Sequence, residues 1–149
     1  MRKVMVAAAA LAIPMSVAAV GIVGASGTAG ASSPVTCAKV SGSLAGIVHF
    51  KGCKTPFANG NAVGTSLATG GTISWAGMHP GSVSLSGSVT SPGQGICATG
   101  SKEYDASEVV TAVTGSAASV IKVGDRGSGK VCVSKAGHLA LVQGSVFKV

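Results

Sequence analysis

Three observations predict an all-β fold, a single antiparallel barrel or sandwich of roughly seven to nine short strands. Of the 25 Val, Ile and Leu residues after Ala31, 20 are β-branched, a composition that packs on a pleated surface and loses rotamer freedom in a helix. Apolar and polar residues alternate with a period of two along 40–50 and 82–90, which gives each segment one apolar face. Gly and Pro pairs punctuate the chain at short intervals, and no helical apolar period occurs beyond residue 31.

The first 31 residues read as a secretory signal. Arg2 and Lys3 precede an apolar run from Val4 to Val23, and Ala29-Gly30-Ala31 supplies a small-x-small cleavage site. The run approaches the roughly 20 residues that span a bilayer, but Pro14 and Ser16 interrupt it. Residues 32–149 then form one secreted domain, too short for a second core, with no membrane span once the signal is removed.

Within that domain, Val40, Gly42, Leu44, Gly46, Val48 and Phe50 alternate with a mostly polar set, as do Val83, Leu85, Gly87 and Val89 with Ser82, Ser84, Ser86, Ser88 and Thr90. A five-residue pattern recurs as "VSGSL" at 40–44, "LSGSV" at 85–89, "VTGSA" at 113–117 and "VQGSV" at 142–146. The spacings are irregular, which argues against a solenoid or propeller. The pattern predicts four strands of one curved sheet whose inward glycines make room for close packing. Gly70-Gly71 reads as a two-residue hairpin turn, Pro80-Gly81 and Pro92-Gly93 bracket strand 82–90, and Lys135-Ala136-Gly137 joins 130–134 to 138–149. Asn59-Gly60 reads as part of a longer loop.

Four cysteines in an exported chain, Cys37, Cys53, Cys97 and Cys132, imply two disulfides. If 38–52 is one straight strand, Cys37 and Cys53 lie roughly 50 Å apart at about 3.3 Å per residue, too far to pair, and the connectivity is crossed. If the chain turns near Ala45-Gly46, the two cysteines, equidistant from Ala45, come together, and the pairs are Cys37–Cys53 and Cys97–Cys132. The sequence supports both.

Eleven Lys/Arg against four acids give a net charge of +7. The basic residues are scattered, which serves solubility and leaves an anionic envelope polymer or another secreted protein as candidate partners. Five aromatics with no recognisable module make nucleic acid a poor fit. No C-x-x-C spacing points to metal, and no cofactor is expected. Gly124-Asp125-Arg126-Gly127-Ser128-Gly129-Lys130 matches G-x-x-x-x-G-K, but Val131 replaces the magnesium-binding Ser/Thr and "VCV" predicts a strand in place of a helix. The segment is expected to be a Gly-rich hairpin loop.

Catalysis is not expected. No G-x-S-x-G elbow is present, and His49 in a strand and His79 and His138 in turns have no arranged partners. Carboxylate pairs could come only from Glu103, Asp105, Glu108 and Asp125; three of these lie in "KEYDASE", 102–108, which reads as a charged strand edge that blocks sheet-to-sheet association. Trp75 and Tyr104 are candidate binding-surface residues, although a lone Trp beside Ile73 also suits a core. Lys54, beside Cys53, is the lysine a protease inhibitor would present.

The stretches "TCAKVSGSLAGIVHFKGC", "SPGQGICATGSKEYD", "VGDRGSGKVCVS" and "LVQGSVFKV" resemble a group of small secreted proteins from actinobacteria. The resemblance covers nearly all of 32–149 and the four cysteines. It implies a shared all-β secreted domain and brings no catalytic residues. The expected role is non-catalytic, binding or structural, at the cell surface or in the medium. Two alternatives are a barrel that carries an apolar small molecule and a serine-protease inhibitor acting through Lys54.

Overall fold

The structure is a computed structural model that describes residues 35–54 and 56–149; the signal segment expected at 1–31 lies outside the described residues. Nine strands follow in order: β1 (Thr36–Ser43), β2 (Ile47–Cys53), β3 (Phe57–Val63), β4 (Gly70–Gly77), β5 (Gly81–Gly93), β6 (Ser101–Gly115), β7 (Arg126–Ser134), β8 (His138–Leu141) and β9 (Phe147–Lys148). Each strand from β1 to β7 pairs antiparallel with the next, and β8 returns to pair with β1, closing an eight-stranded up-and-down barrel. β9 lies in the same seam as β8. Where β8 bridges Ser41–Ser43 of β1 and Val131–Val133 of β7, β9 bridges Thr36–Cys37 and Ser128. Among the described residues no helix is long and apolar enough to cross a membrane.

The alternation predicted for 82–90 sets the barrel's inside and outside. Val83 pairs with Ile73 of β4, and Leu85 lies between Gly71 of β4 and Val110 of β6, so their side chains share the interior. The intervening serines face out, where Thr72 and Ser84 share a hydroxyl hydrogen bond at 3.1 Å. The segment 38–52 is not one strand: it folds back through 44–46 and pairs Gly42 with Val48, Val40 with Phe50 and Cys37 with Cys53. The disulfides are Cys37–Cys53 and Cys97–Cys132. Gly42 permits the tight return. Its φ of 137° suits only glycine, and a Cβ there would lie 2.1 Å from the Ile47 carbonyl oxygen.

Other local readings change as well. "VTGSA" ends β6 at Gly115 and enters a 3-10 turn over Ser116–Ser119, and "VQGSV" spans the break between β8 and β9. Only "LSGSV" therefore lies wholly in a strand, and "VSGSL" leaves β1 after Ser43. Gly70-Gly71 begins β4, and the turn before it is a 3-10 segment at Gly64–Ser66. Asn59-Gly60 is within β3, where Gly60 gives space to a ring: a Cβ on it would lie 2.7 Å from Trp75 Cε3. The Gly-rich 126–130 is the first half of β7, not a loop. "KEYDASE" belongs to β6, the longest strand, paired on both sides, so it is no edge.

One end of the barrel is packed solid. Phe57, Ile73, Val83, Val110, Ile121 and Val149 are fully buried, each contributing about 1.5–3 kcal/mol of burial energy. Val35 and Val149 exchange backbone hydrogen bonds at 2.6 and 2.9 Å across this end. An aromatic series runs inward from it: Phe57 to Trp75 at 5.2 Å, Trp75 to Phe50 at 6.0 Å and Phe50 to Phe147 at 4.7 Å between ring centroids. These offset contacts are worth about 0.5–1.5 kcal/mol each beyond their area.

Candidate functional site: an apolar cup with one acid

The other end of the barrel is open. The connections there are 44–46, 64–69, 94–100 and 135–137, and the inward residues of the half-barrel below them do not meet across the axis. They line a cavity of about 360 Å³, bounded by Leu44, Leu67, Val89 and Val133 towards the mouth and by Val48, Phe50 and Phe147 deeper in. Because the wall strands alternate, the lining is almost wholly hydrocarbon, while the outer positions are mostly polar with Ile47, Val63 and Val109 as exposed exceptions.

One charged residue breaks the pattern. On β6 the inward positions are Tyr104, Ala106, Glu108 and Val110, and Glu108 lines the cavity. Its strand partners are Gly87 on β5 and Gly127 on β7, so the carboxyl is flanked by two residues without side chains. The next rung deeper, Val110 beside Leu85, begins the packed plug, which puts Glu108 at the floor of the cup. Gly87 is also a close approach: a Cβ there would lie 2.2 Å from the Ser107 carbonyl oxygen and 2.9 Å from Glu108 Cγ. Glu108 is 4 % exposed, and among the described residues it forms no hydrogen bond or ion pair. Burial pushes its pKa up from 4.5 to about 7, because an apolar wall disfavours the ionised form.

The other acids of "KEYDASE" have the opposite parity and lie outside. Glu103 is buried under the 94–97 segment, where its Oε2 accepts the Ile96 N–H at 3.1 Å and its Oε1 meets Lys130 Nζ at 3.4 Å. Lys130 also contacts Asp105 Oδ2 at 3.2 Å. The hydrogen bond to Asp105 first, then Glu103, holds the lysine above its ordinary pKa. Lys130 is thus engaged on the outer wall while Glu108 faces in.

Of the residues singled out in the sequence, Tyr104 lies in the upper cavity wall and borders a shallower groove with Gln94, Lys102 and Lys135. Trp75 is 4 % exposed within the aromatic series, not at a surface. Lys54 is exposed at the end of β2, its N–H donating to the Thr36 carbonyl at 2.9 Å. The structure does not bring these three together. His49 Nδ1 pairs with Asn61 Oδ1 at 2.6 Å on the outer wall, and His79 Nδ1 with Ser119 Oγ at 2.9 Å at the plugged end. His138 is not in a turn but opens β8. No group of three metal-ligating side chains occurs among the described residues.

Glu108 is the site residue that the sequence reading misplaced. The signal was parity: Tyr104, Ala106 and Val110 share a face, and Glu108 falls on it. No family model, curated protein or solved structure matches the chain.

Proposed function

We propose that the protein is a secreted, non-catalytic carrier that takes a small, mainly apolar molecule into the open end of its barrel. The observation that supports this over a purely surface-acting role is the cup itself, an apolar cavity of about 360 Å³ closed below by a packed plug and open above. Cavities of this size and lining suit small-molecule binding, and leaving so much apolar wall unpacked sacrifices stability that a structural domain would keep. Two disulfides support the secreted part of this reading, since such bridges form and persist in oxidising compartments.

The test uses N-phenyl-1-naphthylamine, a neutral probe that fluoresces in apolar surroundings. Saturable binding at one probe per barrel is expected. Ala106→Phe and Val89→Phe, at cross-strand neighbours on β6 and β5, each place a ring in the void, and each is expected to weaken binding by about tenfold or more while thermal unfolding remains cooperative. Absence of saturable binding to the wild-type protein, or unchanged binding to both filled variants, would overturn the reading.

A further inference from the structure

We propose that Glu108 is the anchor for a cationic amine at the head of the apolar ligand, which enters head first and places its ammonium at the floor of the cup. The inference deepens the carrier reading and rests on it. Among the described residues Glu108 is the only charged side chain in the cavity lining, and it has no partner. A carboxyl at the bottom of a hydrocarbon cup is poorly solvated, so a hydrogen-bonding cation recovers more there than at a surface. Its ladder neighbours Gly87 and Gly127 carry no side chain that could cover the carboxyl. Phe50 and Phe147 line the same cavity, and aromatic faces attract a cation whose own counter-charge is nearby.

Among the described residues no basic group competes for the carboxylate. Lys130, Arg126 and Lys148 have the outward parity of β7 and β9, Lys102 and Lys135 border the groove outside the mouth, and Tyr104 is the other titratable residue of the lining. An anionic head group finds no cation in the cup. The raised proton affinity of Glu108 adds a signature: a bound ammonium favours the carboxylate, so binding below neutral pH releases a proton.

The experiment displaces N-phenyl-1-naphthylamine with n-octylamine, n-octanol and n-octanoate, on wild type and Glu108→Gln. Octylamine is expected to displace the probe at about tenfold lower concentration than octanol from the wild type. Glu108→Gln should remove that advantage and leave octanol within about twofold. Octylamine titrations of the wild type near pH 6 should release a proton that the variant does not. Equal displacement by amine and alcohol, an equal loss of both in Glu108→Gln, or preference for octanoate would each overturn the amine anchor. In those cases probe binding itself would persist, whereas failure of the probe to bind would sink the carrier reading with it.

Discussion

Glu108 carries a cost in stability that can be measured apart from any ligand. Its carboxyl titrates at about 7 in the native barrel against 4.5 ordinarily. Between those values the unfolded chain has released the proton and the native protein still holds it, so the native state binds more protons and stability falls as pH rises. Below the lower value both states are protonated and the residue contributes nothing; above the higher one the loss is complete. At 1.36 kcal/mol per pKa unit the upper bound is about 3 kcal/mol. Glu108→Gln has no such titration. Denaturant midpoints should therefore coincide for the two proteins near the low end of this window and diverge to a gain of about 1–3 kcal/mol for the variant at about pH 8. The outer-wall carboxylates, Glu103 and Asp105, are common to both and cancel. Parallel pH profiles would mean that Glu108 is solvated in the empty cup.

At the scale of elements, what was legible in the sequence was parity, and what was not was the partner. The alternation in 82–90 located the inner face of β5 because one uninterrupted strand carries it. Along 40–50 the same alternation crosses a hairpin without a break. The pairs Val40 with Phe50 and Gly42 with Val48 centre on Ala45, so inward residues on both strands have even numbers and the turn leaves no mark in the pattern. Only the positions of Cys37 and Cys53, equidistant from the same centre, pointed to it. The glycines misled in the opposite way. Gly60, Gly127 and Gly129 read as loop by composition, yet each sits in a strand. A Cβ on Gly129 would lie 3.0 Å from Phe147 Cδ2, and one on Gly60 would press on Trp75, neighbours remote in sequence. Gly60→Ala should therefore destabilise the barrel by about 1–3 kcal/mol through overpacking, read as a lowered thermal midpoint. Alanine's higher strand propensity alone predicts the reverse sign, so the direction of the shift decides between them.

For the molecule as a whole, closure removes the exposed sheet edge that "KEYDASE" was expected to guard, and it separates what holds the barrel together from what binds. The plugged end, with its aromatic series and the fully buried Cys37, carries the packing; the cup contributes space. Cys97–Cys132 tests that separation. Cys132 has the outward parity of β7, beside Glu103, and the bridge spans 35 residues to fasten the 94–100 connection outside the cavity wall. The chain-entropy account gives such a bridge about 3–4 kcal/mol. Replacing both cysteines by serine should lower the unfolding free energy by roughly that amount, yet leave the number of N-phenyl-1-naphthylamine sites at one and their affinity within about threefold, because no residue of the cup has changed. Lost stability with retained binding is the outcome that a cup carried on a separately packed base requires. Loss of both together would mean that the open end depends on its outer fastening, and that the cavity walls are held apart by the bridge and not by the barrel's own hydrogen-bonded closure.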